Sequence, residues 1–341
     1  MAPGHGPRGR SRSVNRAGLV LLASLAALAA VLAITLAPAS TDGDDLPEVL
    51  VFGSAEETRA WLESENWWGT ELHESELEAP RVLITGITDR WLEESAQMTV
   101  AEKKEGFYRL MLPLVLYANE LVLERRGDLE EARERIAGGG SLTPDELEAM
   151  RDAAILLRVV KEEQAETLEA GSEGWLPLID EMLYRLDVVP PGLALGQAAY
   201  ESGYGTSRFA RQGNSLFGQW TFGGQGIKPE EQRESLGDHR IAAFEWPFDS
   251  VRGYYINLFS HPAYEEFRRL RAQLRAAGKP LDSLVLADGL IRYSERGQDY
   301  VDGLKGIIRV NKLDAADKAV LRDEPLRFYV GAESPEEAER I

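Results

Sequence analysis

Residues 17–37 carry no charged side chain, and this run limits the chain more than any other feature. As a helix rising 1.5 Å per residue it would span about 30 Å, the thickness of a bilayer's hydrocarbon core. Arg8, Arg10, Arg12 and Arg16 precede the run, and Asp42, Asp44 and Asp45 follow it. Positive charge stays on the cytoplasmic side. The expected order is therefore a basic cytoplasmic tail (1–16), a transmembrane anchor (17–37), a linker (38–45) and an exported body. A cleaved signal is the alternative, since Ala37-Pro38-Ala39 resembles a small-x-small processing site. Signal cores usually run only about 7–15 residues, which favours the anchor. The body is then either held at the inner membrane on its extracytoplasmic, periplasmic side or secreted.

Composition narrows the chemistry. The chain has no cysteine, which excludes disulfides, thiolate zinc sites and a cysteine nucleophile. Its four histidines, at 5, 73, 239 and 261, share no metal-ligand spacing. No metal or other cofactor is expected, nor a Ser-His-Asp triad. The net charge of −19, from 38 basic and 57 acidic residues, repels phosphate backbones, so nucleic acid is not an expected partner. Acid–base chemistry falls to carboxylates.

The body reads as mostly helical, an α+β class with one small β-like lobe. Residues 46–97 form a small α/β lead-in, with strands over Glu48–Phe52 and Arg81–Ile87 and a helix over Ala55–Trp68. A helical extension covers 98–174. Phe107, Leu110, Met111, Leu114, Ala118, Leu121 and Val122 recur at helical spacing, with Pro113 as a kink. Thr143, Pro144 and Glu146 carry the N-cap, first-turn proline and capping-box signals of the next helix. Residues 175–313 make a further block, in which the glycine-rich stretch 217–245 predicts a hairpin or a lobe of loops. Residues 314–341 read as a tail.

Within that block, Pro190 to Gly205 is the most informative stretch. Pro191 fits a first helical turn, and Gly203 and Gly205 fit its end. Leu193, Ala194, Gln197 and Ala198 give the helix a small, mostly apolar packing surface. Glu201 falls in its last turn, where the negative end of the helix dipole and partial burial disfavour the ionised form. A carboxyl that keeps its proton near neutrality is what a general acid requires.

The helix is followed by Asn214-Ser215-Leu216-Phe217-Gly218 and Gln219-Trp220. A Gln-Ala-Ala helix ending in Glu-Ser-Gly-aromatic-Gly, then an Asn-x-Leu-Phe-Gly turn, resembles the glucosaminidase domain of peptidoglycan hydrolases. That domain is glycoside hydrolase family 73, and the likeness is to its Bax-like branch. It extends over roughly residues 98–313. The resemblance implies a lysozyme-like, two-lobed fold with a cleft. It implies cleavage of the β-1,4 bond after N-acetylglucosamine in the glycan strands of peptidoglycan, with Glu201 as general acid. Tyr293, in Tyr-Ser-Glu-Arg-Gly-Gln-Asp-Tyr300, matches the family's cleft tyrosine, although the more widespread motif there is Tyr-Ala-Thr-Asp. Tyr204 stands where tryptophan is commoner.

The second catalytic group stays open at this point. Glu230, Glu231 and Glu234 compete for the place of a β-lobe glutamate, and spacing favours Glu231. The substrate's own acetamido group is the other possibility. Sugar rings present flat C–H faces, so Trp220, Phe222, Trp246 and Tyr254 are candidate platforms, each equally able to pack in a core. Tyr204, Asn214, Phe217 and Tyr300 complete the candidate binding set. Two rival functions share these residues. One is a lytic transglycosylase, disfavoured because Leu216-Phe217-Gly218-Gln219 replaces its typical Gly-Leu-Met-Gln. The other is a non-catalytic wall-binding scaffold. No protein partner is identifiable.

Overall fold

The computed structural model describes residues 47–69, 77–221, 226–228, 240–338 and 340; the expected anchor at 17–37 lies outside the described residues. Strand β1 (Glu48–Phe52) falls on its apolar run. Helix α1 (Ala55–Ser64) starts where the Ser54 hydroxyl accepts the Glu57 N–H at 3.1 Å. It stops short of Trp68 because Asn66 turns left-handed (φ 54°) and Trp67 swings into the core, its Nε1 donating to the Arg109 carbonyl at 2.9 Å. The short strands β2 (Glu78–Ala79) and β3 (Val82–Ile84) follow, the latter a fraction of the 81–87 run.

Helix α2 (Val100–Ala137) is one uninterrupted rod of 38 residues. A Thr99–Glu102 capping box starts it, and Pro113 sits inside without dividing it. It is long and apolar enough to cross a membrane, but 83% of its apolar window is buried within the protein, as suits a core helix. Helix α3 (Pro144–Leu156) has the Thr143, Pro144 and Glu146 start that its sequence predicts. Next come α4 (Trp175–Arg185), α5 (Pro191–Ser202), α6 (Pro247–Ser260), α7 (Glu265–Ala276) and α8 (Gln298–Val310). Between α5 and α6 the glycine-rich stretch forms β4 (Trp220–Thr221), β5 (Gly226–Ile227) and β6 (Arg240–Ala242), an antiparallel sheet of order β4-β6-β5.

The expected C-terminal tail requires correction. After a 3₁₀ turn (Leu313–Lys318), the chain returns to the lead-in as β7 (Val320–Leu321) and β8 (Arg327–Gly331). β8 is the central strand of the parallel sheet β1-β8-β3, pairing Phe328 with both Val49 and Leu83. The Phe328 ring meets Trp246 edge-on at 5.3 Å, and Tyr329 stacks on Phe52 at 4.9 Å. Arg322 and Arg327 both hold Glu65 at 2.7 Å. The strand therefore joins the lead-in to the start of α6. The whole is a mostly helical α+β protein.

Helix α5 is its axis. Every residue from Pro191 to Ala199 is buried, which small side chains make possible. A Cβ on Gly192 would stand 2.3 Å from the Leu313 carbonyl oxygen, so only glycine lets the 3₁₀ turn lie against the helix. Asp317 fixes this end, accepting from Gly192 N and Ser283 N at 2.9 Å each and from the Ser283 hydroxyl at 2.6 Å. One end of α5 is thereby clamped and the other left to emerge.

Candidate active site

What emerges is Glu201. Its helix is terminated by Gly203 in the left-handed conformation (φ 59°), and Tyr204 and Gly205 continue left-handed. Three bonds hold this costly turn. Gly205 N donates to the Ser202 hydroxyl at 2.8 Å, Tyr204 N to Ala199 O at 3.1 Å, and Trp91 Nε1 to Tyr204 O at 2.9 Å. The Tyr204 ring leans edge-on against Phe107 and Tyr108 of α2. Its place in the structure is a support on α2.

The Asn214–Gly218 turn lies across the end of α5. Asn214 is left-handed (φ 49°); its Oδ1 accepts from Ile87 N at 3.0 Å and its Nδ2 donates to Glu245 O at 2.8 Å. The asparagine thus clips the lead-in and the β6–α6 link to this turn. Leu216 N donates to the Ser250 hydroxyl at 3.0 Å, and Gln219 Nε2 to Ser250 O at 2.9 Å. Phe217, 1% exposed, stacks on Tyr254 with centroids 4.0 Å apart and planes within 2°. So pinned, Gly218 (φ 61°) passes over Glu201: a Cβ there would lie 3.7 Å from Oε2. The carboxyl is covered by backbone on this side.

Tyrosines line the other sides. Tyr300, at the start of α8, lies close enough to Glu201 for its hydroxyl to favour the ionised carboxylate. Tyr293 stacks on Tyr300 at 5.4 Å, and its hydroxyl donates to Phe217 O at 2.8 Å. Tyr254 and Tyr264 also lie close enough that, besides burial, the Glu201 charge helps to suppress their ionisation. The cation acting on Glu201 is Arg296, whose Nη1 donates to the Tyr200 hydroxyl at 2.6 Å. Glu201 itself is half-buried. Burial raises its pKa above the usual carboxylate range, against the opposing pull of the Tyr300 hydroxyl and the Arg296 charge. The rise comes from burial, one of the two causes the sequence suggests.

The structure therefore brings Glu201, Tyr293, Tyr300, Phe217 and Tyr254 together. It also corrects several expected sugar contacts. Trp246 (4% exposed), Tyr254 (0%), Phe217 (1%) and Tyr300 (2%) have no free ring face, because each is packed among other aromatics or core residues. Trp220 on β4, 49% exposed, does present a surface. Phe222, Glu230, Glu231, Glu234 and His239 lie outside the described residues. His261 starts the 3₁₀ turn Pro262–Tyr264, its Nδ1 accepting from Ala263 N at 3.1 Å. Tyr264 and Arg296 carry no individual signal in the sequence, whereas Gly218 closes the Asn-x-Leu-Phe-Gly motif. Gln197 did have one, standing four residues before Glu201 on the same helix face.

A separate cavity of about 590 Å³ opens between the lead-in and α2, walled by Trp68, Trp91, Phe107 and Tyr329. Its lining does not include Glu201.

Comparison with known proteins bears on this arrangement. Residues 177–313 match the glucosaminidase family, described as mannosyl-glycoprotein endo-beta-N-acetylglucosaminidase. Protein bax of Escherichia coli (strain K12) is 28% identical over 210 residues, covering 62% of this chain and 70% of that protein. No solved structure matches the chain.

Proposed function

Because the chain is a Bax-like glucosaminidase-domain protein, we propose that it is a peptidoglycan hydrolase with Glu201 as its general acid. In this reading it cuts the β-1,4 bond after N-acetylglucosamine in cell-wall glycan strands. The observation that carries it is the state of Glu201. The carboxyl sits at the exposed end of an otherwise buried helix, under Gly218 and against tyrosines, with its pKa raised by burial.

A protonated Glu201 gives its proton to the glycosidic oxygen as the C–O bond breaks, and the leaving sugar departs as an alcohol. The anomeric carbon is then taken up in one of two ways. A carboxylate on the β-lobe, for which Glu231 is our candidate, acts as base or nucleophile, or the substrate's acetamido oxygen attacks. Water restores the hydroxyl, and Glu201 recovers its proton. Tyr293, held by Phe217 O and stacked on Tyr300, borders the reacting carbon in this scheme. The exposed Trp220 offers a face to a sugar ring. The lysozyme-like cleft, the anchor at 17–37 and an extracytoplasmic location belong to the same proposal.

The test is Glu201→Gln assayed on purified sacculi. General acid catalysis contributes roughly 100- to 10,000-fold, so release of new reducing ends should drop by at least about 100-fold while thermal unfolding stays as in the parent. Mass spectrometry of the parent's products should show ordinary reducing ends; anhydro-muramic ends, lighter by one water, would assign a lytic transglycosylase instead. Undiminished turnover by the variant would remove Glu201 from the mechanism.

A further inference from the structure

Gln197 is 0% exposed and its side-chain amide makes two bonds to tyrosines. Its Nε2 donates to the Tyr300 hydroxyl at 3.0 Å, and its Oε1 accepts from the Tyr254 hydroxyl. Burying an amide in an apolar helix interface is costly unless both ends are satisfied. Here they are satisfied with a fixed polarity. A carbonyl oxygen can only accept, so the single Tyr254 proton is committed to Oε1. The amide N–H then occupies a lone pair of the Tyr300 oxygen. Tyr300 keeps one proton, and the acceptor nearby is the Glu201 carboxyl, on which its hydroxyl already acts.

We propose that Gln197 and Tyr254 are positioning residues that fix the direction of the Tyr300 hydroxyl, so that it donates to the Glu201 carboxyl. The chain of donors runs one way, from Tyr254 through Gln197 and Tyr300 to Glu201. It begins in the core and ends at the group that exchanges protons with substrate. Its consequence is chemical: a donor aimed at Glu201 favours the ionised form and opposes the effect of burial. Without it the carboxyl would hold its proton more firmly. Among the described residues, the other groups facing Glu201 are Arg296, ahead of α8, and the phenols of Tyr293 and Tyr264, of which Arg296 is charged. The hydrogen-bond partners of the Gln197 amide are Tyr254 and Tyr300, and Tyr293 meets the chain only by stacking on Tyr300.

This inference rests on the general-acid reading, and its test separates the two. The pH dependence of sacculus cleavage should be measured for the parent, Gln197→Met, Tyr300→Phe and the double variant. Activity that needs a protonated Glu201 falls as pH rises through its pKa. Removing the donor raises that pKa, so the alkaline limb should move to higher pH in both single variants. On the falling limb each should keep at least about threefold more of its own maximal rate than the parent does. The double variant should move no further than Tyr300→Phe alone. Tyr254→Phe should move the limb in the same direction by less. A ¹³C carboxyl titration of Glu201, assigned by its loss in Glu201→Gln, gives the same ordering without reference to turnover. Unmoved limbs and titrations, or additive shifts in the double variant, would overturn the chain. An active Glu201→Gln would overturn the general acid and leave the titration to judge the chain alone.

Discussion

Phe328→Ala tests how the C-terminal strand supports the rest of the protein. Phe328 is 3% exposed, lies in the middle of β8 between β1 and β3, and meets the Trp246 ring edge-on. Truncating a buried phenylalanine costs about 3–5 kcal/mol, and an edge-to-face aromatic pair is worth roughly 0.5–1.5 kcal/mol of its own. At about 2–4 °C per kcal/mol for a protein of this size class, the midpoint of thermal unfolding should drop by roughly 6–20 °C. The loss should also reach the site. Trp246 begins α6, whose Ser250 holds Leu216 and whose Tyr254 stacks on Phe217. Cleavage of sacculi at a temperature where the variant is still folded should therefore decline too. The control is Val320→Ala in neighbouring β7, where the side chain is 54% exposed and the change should stay within about 0.5 kcal/mol. A terminal tail predicts no effect in either variant. If Phe328→Ala melts within about 2 °C of the parent, the central-strand argument fails.

Two further outcomes follow from the same geometry. Trp220→Ala should raise KM for polymeric glycan by roughly three- to tenfold, the worth of one aromatic contact; an unaltered KM would remove Trp220 from the binding surface. Asp317 gives a pH signature. Burial, assisted by the charge of Asp282, pushes its carboxyl from 3.8 up to about 6 despite its three donors. The folded protein then holds this proton where the unfolded chain has already lost it. The group's contribution is full below about pH 4 and disappears as pH rises through about 6, a loss of about 3 kcal/mol. The stability of the parent minus that of Asp317→Asn should fall by this amount between pH 4 and 7. A difference independent of pH would show that the three donors keep the carboxylate ionised.

Where the sequence is informative, the signal is local. Thr143, Pro144 and Glu146 announce α3 because a capping box needs only residues three apart. Glu201 is legible because proline and glycine mark both ends of its helix. β8 is illegible for the opposite reason. Both of its faces are covered, so Arg327-Phe328-Tyr329-Val330-Gly331 shows no alternation of polar and apolar residues. Its partners β1 and β3 lie far back along the chain, and parallel pairing leaves no hairpin turn between them as a sign. An acidic, charged surround then makes five strand residues look like part of a tail.

The aromatic residues show a different limit. Trp220, Trp246 and Tyr254 are all suited both to a core and to a sugar face, and composition cannot distinguish the two. Packing decides. Tyr254 is taken up by Phe217 and Gln197, Trp246 by Phe328, and Trp220 is left half in solvent. Each ring the core claims is one that cannot stack on substrate, yet it gains a second role in holding the turn over Glu201. Tyr254 is the clearest case: one face fixes Phe217 beneath Gly218, and its hydroxyl orients the amide that orients Tyr300. A residue expected to contact the sugar instead acts on Glu201 from behind. For that reason the Tyr254→Phe variant should alter the pH dependence of cleavage while leaving KM for glycan near the parental value; a raised KM with an unmoved alkaline limb would return Tyr254 to the binding surface.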